Sequence, residues 1–390
     1  MQNDSVRRKL AGRWQRHYVC QYDPYLQAGT HKIPALLQIV TEELDCSATV
    51  PYLAYMPEKD QLIMLANCGI SHSDPHLMFS DDHGATWTDP QPARPGSKSG
   101  LGVGLAYLGK GRAMFTVGDP SGRFFSDDFG ETWNRSAPMP TPANGLAKHE
   151  WDPPFVDRDP SSGEVLRIVS TAYQIATFFP PEYNPDWGCM RISTDLGRTW
   201  SADELVPQWR GVNEVALVRA ANGDLVAACR TAFLEEHLYY VNVVGESDHY
   251  EGLAYSISKD NGETWSDMRI LYRYGRHHPS MVVLSNNDIV MTYVVRKGYP
   301  KHPSGHDQYA VEALVSHDHG QTWDLERPYV LHKWSANRKD ENAWWASSQC
   351  TSTVLLPDGD ILTCFGTGYR SGPEGDAPRD VGLVRWRTAM

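Results

Sequence analysis

Long apolar runs are missing from this sequence. No stretch reaches the roughly 20 residues that a membrane-spanning helix needs. The opening residues, Met1 to Leu10, lack the apolar centre of a secretory leader, so no signal peptide is expected in this chain. Positive charge is in deficit. A net charge of −12 argues against nucleic acid and an anionic membrane as partners, although it leaves room for a small basic pocket around an anionic ligand. The seven cysteines, at 20, 46, 68, 189, 229, 350 and 364, form no C-x-x-C and are odd in number. That pattern points to a reducing compartment and, without a leader, to the cytoplasm. No P-loop, no G-x-G-x-x-G after a strand and no G-x-S-x-G occurs. No cofactor and no metal is expected.

What is present repeats. The pattern S-x-D-x-G-x-T-W occurs five times, at Ser80–Trp87, Ser126–Trp133, Ser193–Trp200, Ser258–Trp265 and Ser316–Trp323. The Asp suits a turn whose backbone N–H groups it binds. The Gly allows φ > 0 where the chain reverses. The Trp is a large apolar plug with one N–H to satisfy. Five copies, 46, 67, 65 and 58 residues apart, imply a repeat architecture. His83, His317 and His319 fall inside these turns and are set aside from chemistry.

Between the turns lies a recurring hairpin of apolar run, Gly/Asp/Asn turn and apolar run. Its copies begin at Pro51, Gly104, Phe155, Ala216, Ser280 and Thr353. Six hairpins and five outer turns predict an all-β, six-bladed β-propeller forming one domain over residues 1–390. The blades cover approximately 46–98, 99–148, 149–210, 211–275, 276–345 and 346–390. The sixth lacks its outer turn. A strand from the N-terminal segment, residues 1–45, is expected to pair beside Val381–Arg387 and close the ring, because an open propeller exposes a sheet edge.

The short hairpin turns and the S-x-D-x-G-x-T-W turns fall on one face. The long connections (171–189, 230–251, 296–309 and 366–380) fall on the other, and long loops in compact domains are commonly functional. The site is therefore expected on the long-loop face, at the axis. Aligning the hairpins on their turns places Thr49, Gly102, Asp152, Glu214, His278 and Cys350 around the channel mouth, with Arg230 ending the second strand of its hairpin. His149, Trp151, Arg276, His277, Trp344 and Trp345 lie nearby in sequence. Converging Asp, Glu, His, Arg and Cys side chains suit an active site, and equally a wet, polar channel. Trp151, Trp187, Trp344 and Trp345 can stack on sugar rings or simply pack. A metal site from His278, Glu214, Asp152 and Cys350 has no ligand spacing behind it.

With these turns and hairpins the chain resembles the sialidase (neuraminidase) superfamily, whose six-bladed propellers carry the same turns, known as Asp boxes or BNR repeats. The boxes specify the fold rather than the activity. The resemblance implies a carbohydrate-active enzyme with a Tyr nucleophile activated by a Glu, an Asp acid/base and three arginines on the substrate carboxylate. The stretch Asn213–Arg230 resembles the segment that carries the Glu and one Arg, at Glu214 and Arg230. Asp74, before the first box, stands where the acid/base Asp is expected. The rest departs from the pattern. Thr49 stands at the first Arg position, no Arg occurs near Asp307–Tyr309, and Cys350 replaces the nucleophile Tyr.

The expectation is therefore a glycoside hydrolase that removes a terminal acidic sugar but is not an ordinary sialidase. Glu214, Asp74, Asp152, His278 and Cys350 are the candidate catalytic residues. Arg230, His149, Trp151, Arg276, His277 and Trp345 are the candidate substrate-binding residues. Two alternatives stay open. One is a uronate-glycan lyase, with His149 or His278 as base and Tyr173, Tyr239 or Tyr309 as acid. The other is a non-catalytic glycan-binding propeller.

Overall fold

The computed structural model describes residues 9–10, 13–22, 30–42, 47–68, 74–93, 100–117, 122–135, 148–174, 187–232, 248–336, 349–368 and 379–389. Among them the regular structure is strand, with short 3₁₀ turns and no α-helix. The fold is an all-β, propeller-like ring.

The strands follow the hairpin pattern. The first sheet runs Ala48–Met56, Gln61–Cys68, Asp74–Ser80, Gln91–Pro92, and the second Gly102–Gly109, Arg112–Val117, Gly122–Ser126, Asn134–Arg135. The third places Val165–Gln174, Trp187–Ser193 and Glu204–Arg210 after an inner strand in two pieces, Lys148–His149 and Phe155–Arg158. The fourth runs Val212–Arg219, Leu225–Thr231, Gly252–Ser258, Arg269–Tyr272. Lys9–Leu10 pairs with Trp87–Thr88, and nine further strands make one sheet: Arg276–Val283, Ile289–Val295, Asp307–Ser316 and Tyr329–Ala336, then Gln15–Tyr22 and Thr30–Ile39, then Asp380–Trp386, Ile361–Thr367 and Thr351–Leu355. The N-terminal strand expected to close the ring is Thr30–Ile39, paired with the last strand through Ile39 opposite Gly382 and Leu36 opposite Arg385.

The innermost strands pack side by side in a closed cycle, Thr351–Leu355 returning to Ala48–Met56. Neighbouring inner strands do not share a ladder, so their buried backbone groups need side-chain partners. The Leu53 N–H donates to Ser352 Oγ at 2.9 Å, and the Thr353 N–H to Ser280 Oγ at 3.0 Å.

The Asp boxes hold this ring from outside. In every box the Gly N–H donates to the Ser hydroxyl at 2.7–2.8 Å. The Asp carboxylate accepts from the Thr N–H and Thr hydroxyl, as Asp260 does from Thr264 at 2.9 and 2.5 Å. Two successive residues are left-handed: His83, Phe129, Leu196, Asn261 and His319, each followed by its Gly. The Gly is also required by close approach to the preceding sheet. A methyl group at Gly130 would lie 2.7 Å from Ile63, at Gly197 2.9 Å from Phe125, and at Gly320 2.6 Å from Val226. Gly84 of the first box faces Leu362 of the last hairpin, so the cycle closes here too. The Trp133 and Trp200 indoles donate back to the box Gly carbonyl at 3.0 Å.

A shared irregularity prepares the site. Four inner strands carry one extra residue against their partners, between Thr49 and Tyr52, Val103 and Ala106, Val212 and Val215, and His277 and Ser280. Such bulges re-aim side chains and often neighbour active sites. Three contain a left-handed residue: Val50 (φ 50°), Gly104 (φ 64°) and His278 (φ 52°). At Val50 and His278 that conformation costs about 1–3 kcal/mol, so the surroundings must impose it. The strand registers also correct the turn-based alignment. His278 occupies the level of Asn213 rather than Glu214, and Gly104 rather than Gly102 is the matching residue of the second sheet.

Candidate functional site

The inner strands surround a cavity of 660 Å³. Tyr52, Asp152, His278 and Cys350 line one end of it, and Asp157, Arg158 and Arg219 line the other. The inner strands of five hairpins contribute to the wall.

Behind the first end lies a buried charge cluster. Glu214 sits in the bulge of Val212–Arg219, and Arg230 lies one residue from the end of the partner strand, so the hairpin brings them together. Arg230 Nη1 donates to Glu214 Oε1 at 2.8 Å. Arg230 Nε is taken by Glu251, at the head of the next strand. The neighbouring inner strand supplies His278, whose Nδ1 meets Glu214 Oε2. Its Nε2 is 2.9 Å from Arg230 Nη1 and 3.5 Å from Arg296 Nη2. A guanidinium can only donate, so Nε2 is the acceptor and Nδ1 carries the proton that binds Glu214. Arg296 Nη2 also donates to Gln349 O at 3.1 Å. Glu214, Arg230, Glu251, His278 and Arg296 are all buried.

Burial lowers the His278 pKa. Glu214 opposes the shift, and Arg230 and Arg296 reinforce it, so the ring is neutral at pH 7. Asp152 moves the other way. Burial raises its carboxyl well above the usual range and the Glu214 charge adds to this, against the Val215 N–H that Asp152 Oδ2 accepts at 2.8 Å. The site thus holds two carboxyl groups in unlike surroundings, Glu214 bound by Arg230 and Asp152 beside the cavity with its proton affinity raised.

The other sequence candidates take varied places. Cys350 lines the cavity, but burial pushes its thiol pKa up and its Sγ donates to Pro51 O at 3.5 Å. It is a small packed residue rather than a thiolate. Arg276 is spent away from the cavity on Glu312, its guanidinium 4.5 Å over the Tyr272 ring. His149 is exposed and stacks on Tyr173 at 5.6 Å. Trp151 is half-buried and packs against the core, and its backbone oxygen accepts from Tyr52. His277 is fully buried with its pKa well below normal, and neither ring nitrogen has a hydrogen-bond partner among the described residues. Asp74 heads the third strand of the first sheet and does not line the cavity. Tyr309 is buried in a core cluster, and the Trp187 indole donates to Val206 O. Trp344, Trp345 and Tyr239 lie outside the described residues. Among the described residues no group of three His, Cys, Asp or Glu side chains is placed to hold a metal.

Sequence reasoning missed Tyr52, Glu251 and Arg296. Tyr52 is buried on the cavity wall. Burial, with the nearby Glu214 carboxylate, raises its phenol pKa well above normal, and its hydroxyl donates to Trp151 O at 3.2 Å. Its hidden signal is Pro51-Tyr52, which directly follows the bulge. Arg296 follows its hairpin's second strand much as Arg230 ends its own, so extending the hairpin comparison past the strand end would have found it. Nothing in spacing marks Glu251.

Residues 176–368 match the family described as BNR repeat-like domain, and residues 124–135 match the BNR/Asp-box repeat. No curated protein matches the chain in sequence. Among solved structures it is similar to a protein of unknown function from Dyadobacter fermentans DSM 18053, at 16% identity and TM-score 0.61, covering 88% of this chain and 95% of that one. The NanB sialidase of Streptococcus pneumoniae is 12% identical with TM-score 0.55, over 87% of this chain and 68% of that one. The α-L-arabinanase of Penicillium chrysogenum, complexed with arabinobiose, is 11% identical with TM-score 0.53, over 95% and 98%. Likeness at such identities speaks to fold alone. With its five boxes and its ring of sheets, the chain carries BNR/Asp-box repeats on a propeller-like fold similar to that of sialidases.

Proposed function

We propose that the chain is a carbohydrate-active enzyme on one six-bladed propeller domain, spanning residues 1–390, that hydrolyses a terminal acidic sugar. The N-terminal strand Thr30–Ile39 completes the sixth blade. One observation carries the reading: at one end of the axial cavity Asp152, whose carboxyl pKa is raised by burial, stands beside Glu214, which is fixed by Arg230 and His278. Two carboxyl groups with separated proton affinities are what acid-assisted glycoside cleavage requires. In this reading the Asp152 proton passes to the leaving oxygen as the glycosidic C–O bond breaks, and water completes the hydrolysis. Burial, helped by the Glu214 charge, favours the proton on Asp152. Arg296 adds a second guanidinium beside Arg230 and His278, the group a carboxylate on the sugar would meet.

The site differs from the expected arginine clamp. Arg230 Nε and Nη1 are already engaged by carboxylates, so its chief task here is to hold Glu214. Cys350 is left without a chemical role.

A lyase acting on a uronate glycan is the second reading, and the presence of His278 and Tyr52 on the same end of the cavity favours it. A substrate carboxylate that draws the guanidinium groups away would free the neutral Nε2 of His278 as base, with the Tyr52 hydroxyl as acid. A panel of aryl glycosides of acidic sugars, run beside uronate polysaccharides monitored for the unsaturated product, separates the two. Aryl glycoside turnover that falls about a hundredfold in Asp152→Asn, on the order of one proton-transfer group, supports hydrolysis. Unsaturated product lost in His278→Ala supports the lyase. Glycan binding with neither product leaves a non-catalytic propeller.

A further inference from the structure

The cavity end away from Asp152 is also charged, and no step proposed above uses it. Asp157, 1% exposed, ends the inner strand Phe155–Arg158. Arg219 holds it in a fork, Nε to Oδ1 at 2.8 Å and Nη2 to Oδ2 at 2.5 Å, while Arg167 Nε donates to Oδ2 at 3.0 Å. One buried carboxylate therefore faces two guanidinium groups. Arg158 beside it adds a third. It donates to the backbone carbonyls of Gly163 and Tyr107, at 3.2 and 3.3 Å, and the Glu58 carboxylate lies near enough to attract it without a hydrogen bond.

Arg158 lines the axial cavity and also a second cavity of 440 Å³ on the box side, between the second and third sheets. Arg167 and Lys110 line that groove too, with Ser162 and the box residues Ser193 and Thr194. Arg167 Nη2 is buried without a hydrogen-bond partner among the described residues. A buried donor without an acceptor is costly unless something supplies one. Two acids share the groove, and both are occupied. Glu58 takes the Tyr107 hydroxyl at 2.7 Å and the Lys110 N–H at 3.0 Å, and Glu164 lies 3.9 Å from Lys110 Nζ.

We propose that this groove binds a tetrahedral oxyanion, a sulfate or phosphate, either free or carried as an ester on a glycan. Planar guanidinium forks on Arg158 and Arg167 match such oxygens, and hydroxyls and an ammonium complete the wall. A positive groove on a chain of net charge −12 is a local exception to its surface.

Isothermal titration calorimetry of the full chain at low ionic strength tests this, with sodium sulfate, sodium phosphate and a sulfated monosaccharide as probes and sodium chloride as reference. The wild type is expected to bind sulfate and phosphate. Ester binding as tight as that of sulfate assigns the groove to a glycan, and binding of the inorganic ions alone assigns it to a free anion. Arg158→Met breaks no hydrogen bond to a carboxylate and should weaken binding at least tenfold, with Arg158→Lys intermediate. Arg167→Met should do likewise, and its thermal unfolding checks that the fold survives. Heats equal to those of chloride, or Arg158→Met binding as the wild type does, would overturn the proposal. Because Asp152 stands at the other end, failure here leaves the axial reading untouched.

Discussion

At the scale of single residues, the axial cluster works by sharing charges. Arg230 serves two buried carboxylates at once, so its loss would strand both Glu214 and Glu251 without their cation. Arg230→Met should destabilise the protein by about 3–5 kcal/mol, the usual result of removing one partner from a buried pair. Denaturant unfolding measures this, and a loss under about 1 kcal/mol would show that the pair holds nothing. The Glu214–Arg230 pairing was legible because sixteen residues fit two strands and a tight turn. The rest of the cluster was not. Glu251 and Arg296 come from other strands, and His278 reaches Glu214 only because the bulge at His278-Pro279 turns its backbone left-handed. A one-residue bulge leaves the apolar pattern intact, so hairpins aligned on their turns slip by a position at the axis.

Among elements, the Asp boxes were the most legible feature, since the Ser, Asp, Gly and Thr hydrogen bonds that shape each turn are local. Their role is stability. Trp265 is buried in a core cluster with Trp209, and Trp265→Ala should cost about 3–5 kcal/mol without changing turnover per folded molecule. Abolished turnover in well-folded protein would place the box in the site. The box carboxylates also set an acid limit. Hydrogen bonds from Thr199 and Thr264 hold Asp195 and Asp260 at about 2, below the ordinary 3.8. A depressed native pKa means that their contribution is complete above the ordinary value and is lost as pH falls through about 2. Stability should therefore fall between about pH 4 and pH 2, with a shallower fall in Asp260→Asn. An unchanged slope would contradict this. The links between inner strands were invisible in sequence, because Ser352 and Ser280 read as ordinary strand residues. Ser352→Ala leaves the Leu53 N–H buried and unpaired, and should cost about 1–3 kcal/mol by chemical denaturation. A cost near zero would mean that another acceptor takes over.

Across the whole molecule, ring closure was readable from one absence, the missing sixth box, which required a strand from elsewhere. Thr30–Ile39 supplies it and sits between Gln15–Tyr22 and Asp380–Trp386. A chain lacking residues 1–45 should aggregate or unfold, and one that melts with the full-length protein would refute closure by this segment. The architecture also places two carboxyl groups in unlike surroundings together, since Asp152 and Glu214 come from adjacent sheets and meet only when the ring forms. The pH dependence of kcat/KM, on whichever aryl glycoside the screen identifies, tests this most directly. Asp152 must carry its proton to act, so activity should fall as pH rises through its elevated pKa. Removing the neighbouring charge in Glu214→Gln lowers that pKa, so the alkaline limb should move to lower pH, while Asp152→Asn should lose both the limb and about a hundredfold of the rate. An alkaline limb at the same pH in wild type and Glu214→Gln, or full activity in Asp152→Asn, would contradict the pairing on which the proposed function rests.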